Sequence, residues 1–343
     1  MHGEDDVHTL VVGRDAMACR FEVVFNAGEV ADDTARAVDA LDLVDAIEDR
    51  ITVYRDSSEL ARLNARAAEG WQPVGPELLA LLVLARQLHE RTGGAFDMAA
   101  GALVRAWGFL RRQGRTPTAE ELARARESAG MRWVEIDERD ARVRFLKDGV
   151  ELNPGGIGKG WALDRMIETL RAAGVESVFV HGGASSVRAA GRQGLAAGGR
   201  GWPVGLRHPL LPGRRLATVR LENAALGTSG SGTQFFVDRG RRLGHILDPR
   251  SGLPAEGVLS ATVIAPTAAE ADALSTALYV LGPEGLPTVA AAGGPVGAIV
   301  VLPAATSGGV RLLTANVPEA AVTVEPCPGV EWPAAPSPAD GGG

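Results

Sequence analysis

Two side chains near the start of one predicted helix have the types and spacing that a divalent metal ion requires. Asp272 and Thr276 stand four residues apart within residues 263–282, VIAPTAAEADALSTALYVLG. Residues four apart on a helix project from the same face, and a carboxylate beside a hydroxyl offers the hard oxygen ligands that Mg²⁺ and Ca²⁺ prefer. The alternative is that Asp272 only complements the positive end of the helix dipole. The spacing by itself leaves both interpretations open.

The local sequence predicts a strand, a turn and a helix that position this pair. Pro266 ends the strand, and Thr267 with Glu270 three residues later has the spacing of a capping box. Gly282 stands where a C-cap glycine is expected. The apolar residues of this helix recur at helical spacing, at Ala271, Leu274, Leu278 and Leu281. We expect Asp272 to be reachable by solvent, so that its replacement by alanine leaves the fold intact.

A second candidate site is the glycine-rich stretch PGGIGKG at residues 154–160. It follows a strand-like segment at 150–153 and precedes a predicted helix at 161–173. Backbone N–H groups in such a loop can point at an anion, and the helix dipole favours negative charge there. Lys159 adds a positive charge. The alternative is a turn that only lets the helix pack closely on the strand.

This loop is neither of two familiar phosphate-binding motifs. In a Walker A loop a glycine stands six residues before the lysine and a Ser or Thr follows it, whereas Asn153 and Gly160 occupy these positions. The spacing is also one residue short of the Rossmann glycine pattern. Residues 227–232, GTSGSG, are predicted to form another small-residue loop. His245 by itself is more typical of a core or surface histidine than of a catalytic base.

Composition narrows the class of protein. Of 343 residues, 45% are hydrophobic and 22% charged, as expected for a soluble globular protein, and the length allows one large or two smaller domains. The net charge of −7 disfavours a nucleic-acid partner. Two cysteines are too few for a disulfide framework or a cysteine-rich zinc site. No apolar run approaches the roughly 20 residues of a membrane span.

The terminal segments carry no sign of a packed core. Residues 1–9 are predicted to be a loose N-terminus without an export signal, so the protein is either cytoplasmic or exported with its leader absent. Residues 326–343, rich in Pro, Ala and Gly, are predicted to be a disordered tail. We therefore expect the folded part of the chain to span residues 10–325.

Several short motifs occur in an order that is characteristic of a known family. They are AMAC at 16–19, SELARLN at 58–64, GAFD at 94–97, WGF at 107–109, GGIGKG at 155–160 with Asp164, GG at 182–183, TSG at 228–230, HILDPRSGLP at 245–254 and ADALSTA at 271–277. This succession resembles the ApbE family, the FAD:protein FMN transferases, over about residues 10–325. The blocks at 245–254 and 271–277 are the most specific of these motifs.

The resemblance implies a fold and an activity. The fold would be a T-fold-like α/β (α+β) architecture, in which mixed and antiparallel sheets pack with helices. The activity would be Mg²⁺-dependent transfer of FMN from FAD to a Thr or Ser hydroxyl of a target flavoprotein, with release of AMP. Two alternatives stay open: an FAD pyrophosphatase that yields FMN and AMP, and a protein of another class that binds FAD without turnover.

The resemblance also assigns site residues. His245 and Asp272 would be catalytic, with His245 as general base. Asp272, Thr276 and the carbonyl of Gly158 would bind the metal ion. The residues expected to bind FAD are Tyr54, Trp107, Gly156, Gly158, Lys159, Gly160, Thr228, Ser229, Gly230, His245 and Asp248, with Tyr54 or Trp107 packing on the isoalloxazine ring.

The sequence departs from the family pattern at two acidic positions. Ala184 follows Gly182 and Gly183 where the family has an aspartate, and Asn153 replaces the usual acid before the glycine loop. The first change puts a carboxylate role in ribose or metal binding in doubt, although Ser185 or Ser186 can supply a neutral oxygen. Because Asp272 and Thr276 are both present, we expect magnesium binding.

Overall fold

The structure is a computed structural model that describes residues 8–332, except 112, 195–199, 212, 231, 233, 292–295, 307 and 328. Its α-helices are α1 (Asp33–Ile51), α2 (Glu59–Arg66), α3 (Pro76–Arg91), α4 (Gly101–Ala106), α5 (Ala119–Ser128), α6 (Gly158–Ala172), α7 (Ala268–Leu281) and α8 (Leu286–Ala290).

The strands follow in the same chain order. They are β1 (Thr9–Ala16), β2 (Cys19–Asn26), β3 (Gln72–Pro73), β4 (Val134–Asp137), β5 (Arg142–Phe145), β6 (Val178–Gly182), β7 (Ser186–Ala190), β8 (Trp202–Arg207), β9 (Arg215–Leu221), β10 (Ala225–Gly230), β11 (Phe235–Asp238), β12 (Arg241–Gly244), β13 (Leu247–Asp248), β14 (Leu253–Pro254), β15 (Ser260–Ala265), β16 (Gly297–Pro303), β17 (Val310–Ala315), β18 (Val322–Val324) and β19 (Val330–Glu331).

One large sheet organises the molecule. Its strand order is β1-β2-β6-β7-β10-β15-β16-β17-β19. Neighbouring strands are antiparallel, apart from the parallel pair β17 and β19. Smaller sheets are formed by β18-β9-β8, by β3-β5-β4 and by the pairs β11-β12 and β13-β14. The predicted class, mixed and antiparallel sheets packed with helices, is confirmed.

Both faces of the large sheet are buried. Helices α1, α6 and α7 cover one face, and the sheet β18-β9-β8 covers the other. Strand β16 shows the consequence, because Ala298 and Val300 face the helices while Ile299 and Val301 face the small sheet. A strand that is apolar on both sides is expected in this central position. A separate cluster forms around α4 and α5, where Trp107 is buried.

Helix α7 begins as the sequence predicts. The Thr267 hydroxyl accepts a hydrogen bond from the Glu270 N–H at 3.3 Å, and it donates to Glu270 Oε2 at 2.9 Å. The helix ends before Gly282, whose φ of +67° a glycine adopts without strain. The cap therefore fixes where Asp272 falls on the helix.

The prediction of a loop at residues 227–232 is wrong for residues 227–230. Residues 225–230 form β10, which lies between β7 and β15 in the large sheet. Helix α7 lies directly on this strand, and a Cβ at Gly227 would be 2.5 Å from the carbonyl carbon of Ala271. The small residues therefore let the helix approach the strand closely. In the sequence, glycine used for such packing has the same appearance as glycine in a loop.

The terminal segments differ partly from their prediction. Thr9 already pairs with Asn26, and residues 1–7 lie outside the described residues. Within the predicted tail, Val330 and Glu331 pair with β17, and residues 333–343 lie outside the described residues. Among the helices of the described residues, none has the length and apolar content needed to cross a membrane.

The contact between Gly227 and α7 leads to a stability prediction. We expect Gly227→Ala to lower the free energy of unfolding by about 1–3 kcal/mol, because the new methyl group must displace the α7 backbone. Gly232→Ala is the matched control, since a Cβ there meets nothing within 4 Å. We expect it to change stability by less than about 0.5 kcal/mol. Urea denaturation measures both, and equal stabilities of the two variants would contradict the packing argument.

Candidate active site

The Asp272 carboxylate is buried between α7, α6 and β7. Its Oδ2 accepts hydrogen bonds from the Gly160 N–H at 2.8 Å and from the Ser186 hydroxyl at 3.0 Å. The residue is only 8% exposed. The expectation that Asp272 is reachable by solvent is therefore wrong, because α6 and β7 close over the first turns of α7.

Burial raises the pKa of Asp272 to about 6. The positive charge of Lys159 and the hydrogen bonds from Ser186 and Gly160 oppose this rise. Both donors reach Oδ2, and within the described part of the chain no donor reaches Oδ1. The carboxylate is thus held on one side by protein, with the lone pairs of its other oxygen available to a ligand.

A group of hydroxyls surrounds the adjacent turn of α7. The Ser275 and Thr276 hydroxyls donate to the carbonyl oxygen of Asp272, at 2.9 and 3.1 Å. Ser229 Oγ lies 2.9 Å from Ser275 Oγ and 3.2 Å from Thr276 Oγ1. Because Thr276 uses its proton on the carbonyl, its oxygen keeps acceptor capacity. Asp272 Oδ1 and Thr276 Oγ1 are therefore both able to accept a metal ion or a donor.

The glycine loop lies beside this pair and also has a packing role. A Cβ at Gly156 would be 3.4 Å from Thr276 Oγ1, so the loop backbone passes next to the hydroxyl. A Cβ at Gly160 would be 2.1 Å from the Ala268 carbonyl oxygen, which places the crossing of α6 and α7 at this residue. Gly158 is the first residue of α6. Gly160 therefore allows close packing of helix on helix, not of helix on strand as the alternative had it, and anion binding stays a prediction for the loop.

A second buried carboxylate holds the start of α7. Asp164 accepts from the Ala268 N–H at 2.8 Å and from the Ala269 N–H at 2.9 Å. Burial raises its pKa to about 6, and Arg188 Nε lies 3.3 Å from its Oδ1. The sequence included Asp164 in a motif but assigned it no role. The sequence signal that could have indicated this role is an acidic residue on the apolar face of the predicted helix 161–173.

Lys159 is held near the turn between β6 and β7. Its ammonium donates to the Ser185 hydroxyl. Ala184 has a φ of +59°, a left-handed conformation that aspartate and asparagine adopt more readily than alanine. The Thr228 N–H donates to the Ser185 carbonyl at 2.8 Å, and Thr228 Oγ1 contacts Thr262 Oγ1 at 2.9 Å. Lys159 and Thr228 thus both contact Ser185.

His245 is fixed in the tautomer that suits a base. Its Nδ1 lies 3.0 Å from the carbonyl oxygen of Gln234. A carbonyl can only accept, so Nδ1 carries the proton and Nε2 keeps a lone pair. Burial lowers the pKa of His245, the Gln234 hydrogen bond partly opposes this, and the charge of Lys159 lowers it further. The ring is therefore neutral at neutral pH.

Four predicted FAD contacts are placed differently from one another. Tyr54 is 69% exposed, whereas Trp107 is 4% exposed. Trp107 donates its indole N–H to the Gly252 carbonyl at 2.8 Å, and its ring is enclosed in the α4–α5 cluster, so it does not present a face to a flavin. Asp248 accepts from the backbone and guanidinium of Arg250, which commits it to its own turn. Tyr54 stays the candidate for flavin stacking. Gly230, the last residue of β10, pairs with Ser260.

The oxygen atoms of Asp272 and Thr276 fit a magnesium ion better than a metal ion that is coordinated by protein side chains alone. Among the described residues, no group of three or more His, Cys, Asp or Glu side chains is placed to hold a metal ion. Asp272 Oδ1 and the Thr276 hydroxyl are hard oxygen ligands. Magnesium is commonly bound by one or two carboxylates together with water and substrate phosphates. The residues therefore fit Mg²⁺ if a phosphate-bearing substrate completes its coordination.

Comparison with protein families gives an independent result. The sequence model described as the ApbE family matches residues 17–300. The FAD:protein FMN transferase of Treponema pallidum is 32% identical over 291 residues, which cover 80% of this chain and 78% of that protein. The FAD:protein FMN transferase of Klebsiella pneumoniae is 30% identical over 247 residues, which cover 70% of this chain and 69% of that protein.

Solved structures agree with the sequence comparisons. The apo form of the flavinyl transferase ApbE of Pseudomonas stutzeri is 29% identical, with a TM-score of 0.77, and the match covers 90% of this chain and 94% of that one. The ApbE protein of Thermotoga maritima is 30% identical, with a TM-score of 0.78, and the match covers 86% of this chain and 94% of that one.

The buried carboxylate predicts a pH dependence of stability. The folded pKa of Asp272, about 6, lies above its ordinary value of 3.8. Between these values the folded protein holds a proton that the unfolded chain has released. The free energy of unfolding must therefore fall as pH rises from about 4 to 6, by up to about 3 kcal/mol. Asp272→Asn removes this contribution while its amide oxygen can still accept from Gly160 and Ser186.

Urea denaturation in EDTA between pH 4 and pH 7 checks this prediction. We expect the wild type to lose more stability over the range than Asp272→Asn does. Asp148→Asn, at an exposed aspartate, is the control and should follow the wild-type curve. Parallel curves for the wild type and Asp272→Asn would mean that burial does not raise this pKa.

Proposed function

The chain belongs to the ApbE family, and we propose that it transfers FMN from FAD to a Thr or Ser hydroxyl of a target flavoprotein, with Mg²⁺ bound and AMP released. The family and its relatives identify it as a flavin transferase, and the metal ion, the acceptor hydroxyl and the leaving group are our proposal. The observation that carries it is the Asp272 carboxylate, held on one oxygen by protein and free on the other, beside Thr276.

The binding of FAD follows from the groups around this pair. We assign the pyrophosphate to the backbone of the glycine loop, with Lys159 supplying positive charge and Thr228, Ser229 and Gly230 lining the site. Three features support this assignment: the loop passes next to Thr276, Ser229 contacts Thr276, and Lys159 and Thr228 both contact Ser185. Tyr54 is the candidate for contact with the isoalloxazine ring.

The metal ion is assigned to Asp272, Thr276 and the carbonyl of Gly158. When bound, the metal ion would neutralise the negative charge that builds up on the phosphate during transfer. Above pH 6 the Asp272 carboxyl is largely ionised, as a metal ligand must be. The fixed hydrogen bonds from Gly160 and Ser186 orient this carboxylate before any ligand arrives.

His245 is assigned the proton transfer. The acceptor hydroxyl gives its proton to Nε2 as its oxygen attacks the phosphorus that carries riboflavin. A new phosphoester bond forms to the acceptor, the bridging bond of the pyrophosphate breaks, and AMP leaves with the electron pair. The Gln234 carbonyl keeps the proton of Nδ1 in place, so that Nε2 is the basic nitrogen.

Two other functions use the same groups to different ends. In an FAD pyrophosphatase, water replaces the acceptor hydroxyl and gives its proton to His245, with FMN and AMP as products. In a protein that only binds FAD, no bond is broken. The presence of Asp272 argues against the second, because loss of the metal ligand is the simple route to a binder.

The first test separates these functions. The purified protein is incubated with FAD and Mg²⁺, with or without a flavin-acceptor domain that carries an exposed target threonine, and then with EDTA. We expect AMP release and a fluorescent acceptor band, both lost on chelation. Free FMN and AMP without a band would instead indicate the pyrophosphatase, and uncleaved FAD in every tube would indicate a binder.

Substitutions at Thr276 test the metal assignment within the same assay. We expect Thr276→Val to raise the Mg²⁺ concentration for half-maximal activity by roughly 10–100-fold, because it removes an oxygen ligand. Thr276→Ser keeps the hydroxyl and should restore the wild-type value. If Thr276→Val and Thr276→Ser need the same Mg²⁺ concentration for half-maximal activity, the hydroxyl does not bind the metal ion.

Replacement of His245 tests the base. We expect His245→Ala to reduce the rate at saturating FAD by roughly 10²–10⁴-fold, since general-base catalysis contributes about that much. The dissociation constant for FAD should change little, because we assign the pyrophosphate to the glycine loop and Lys159, so that His245 adds only a minor contact to FAD. Single-turnover rates and fluorescence titration with FAD measure the two effects. An unchanged rate at saturating FAD would exclude the role.

A further inference from the structure

Strand β7 directs two side chains toward the helices that carry the buried carboxylates. Ser186 and Arg188 stand two residues apart, and residues at this spacing share one face of a strand. The Ser186 hydroxyl donates to Asp272 of α7 at 3.0 Å, and Arg188 Nε lies 3.3 Å from Oδ1 of Asp164 on α6. One face of a single strand therefore contacts both carboxylates that link α6 to α7.

The guanidinium of Arg188 is buried with incomplete hydrogen bonding. The side chains of Arg188 and Asp164 are 12% and 8% exposed. Nη1 of Arg188 is buried, and no group of the described residues accepts a hydrogen bond from it. Burial lowers the pKa of Arg188, and the charge of Asp164 opposes this effect. Desolvation can cancel the attraction within a buried ion pair, so a gain in stability does not by itself account for this one.

The partner of Arg188 sets the start of α7. Asp164 Oδ1, the oxygen beside Arg188, accepts from the Ala268 N–H at 2.8 Å, and Oδ2 accepts from the Ala269 N–H at 2.9 Å. Asp272 follows Ala268 by four residues, about one helical turn. A displacement of the first turn of α7 therefore moves the Asp272 carboxylate, and Mg²⁺ tolerates little change in the positions of its ligands.

We propose that Arg188 is a positioning residue for the metal site, which holds Asp164 against the first N–H groups of α7 and thereby fixes the place of Asp272. This inference rests on the proposed function, since the metal site is part of it. Arg188 is assigned no contact with the metal ion or with FAD. Its effect passes through Asp164 and the helix start, as the support of a metal ligand by a neighbouring hydrogen-bonded group commonly does.

Removal of the Arg188 charge separates positioning from simple electrostatics. Arg188→Met takes a positive charge away from the region of the metal site, and Coulomb attraction alone would then make a cation bind more tightly. Positioning predicts the opposite, because Asp164 loses its partner and holds the start of α7 less firmly. The direction of the change in metal affinity therefore decides between the two.

Metal binding is measured without flavin transfer. Mn²⁺ replaces Mg²⁺, the protein is saturated with FAD in the absence of an acceptor, and the signal of free Mn²⁺ is followed by electron paramagnetic resonance. We expect Arg188→Met to raise the dissociation constant for Mn²⁺ roughly tenfold, as loss of a group that orients a metal ligand does. Arg188→Lys keeps the charge and should recover most of the affinity. The dissociation constant for FAD in EDTA should stay unchanged in both variants.

Two further variants serve as controls. Val301→Ala creates a cavity on the opposite face of the large sheet, so it should lower stability and leave Mn²⁺ affinity unchanged. The double variant Arg188→Met/Asp164→Asn leaves no unpaired buried charge, so it should fold even if Arg188→Met does not. Its net charge equals that of the wild type, and it has one acceptor oxygen fewer at the start of α7. We therefore expect weaker Mn²⁺ binding here as well.

The outcomes distinguish the proposal from its alternatives. Mn²⁺ binding as tight as that of the wild type, or tighter, in either folded Arg188 variant that lacks the charge would overturn it. Equal weakening by Val301→Ala would overturn it too, because the effect would then reflect a general loss of stability. Absence of Mn²⁺ binding to the wild type would remove the metal assignment and this inference together. A wild type that binds Mn²⁺ but transfers no flavin would contradict only the proposed function.

Discussion

The hydrogen bonds to the buried Asp272 carboxylate are the constraint on which the site depends. One oxygen accepts from the backbone of α6 and from a hydroxyl of β7, so a single side chain of α7 joins three elements. A buried charge is unfavourable, as the raised pKa shows, and these donors together with the charge of Lys159 only partly offset the cost. The structure thus holds a carboxylate in a costly environment, with both of its protein donors among the described residues on the same oxygen.

A second carboxylate makes this arrangement rigid. Asp164 of α6 accepts from the first two N–H groups of α7, which would otherwise lack partners at the helix start. The two helices are therefore linked in both directions, by Asp164 from α6 and by Asp272 from α7. Side chains that must bind a small ion benefit from such support, because their geometry is set before the ligand binds.

Close contacts between small residues permit these links. Gly160 meets the Ala268 backbone where the helices cross, and Gly227 meets the Ala271 backbone where α7 lies on β10. Larger side chains at either glycine would separate the elements and lengthen the hydrogen bonds to Asp272. Strand β10 also brings the Ser229 hydroxyl into contact with the Thr276 hydroxyl. His245 follows the hairpin β11-β12 and is hydrogen-bonded to Gln234, so the groups assigned to metal binding and to proton transfer rest on different elements.

The local features of the structure follow from the sequence alone. The cap of α7, the four-residue spacing of Asp272 and Thr276, the glycine turn before α6 and the family could all be predicted, because each depends on neighbours in the chain or on an ordered set of motifs. Tertiary structure decided the rest. Residues 225–230 form a strand because they pair with β7 and β15, and Val330 with Glu331 forms a strand because the edge of β17 is open to pairing. Asp272 is buried and Trp107 enclosed because distant elements cover them. Burial and hydrogen bonding depend on segments that are far apart in sequence, so the spacing of neighbouring residues does not predict them.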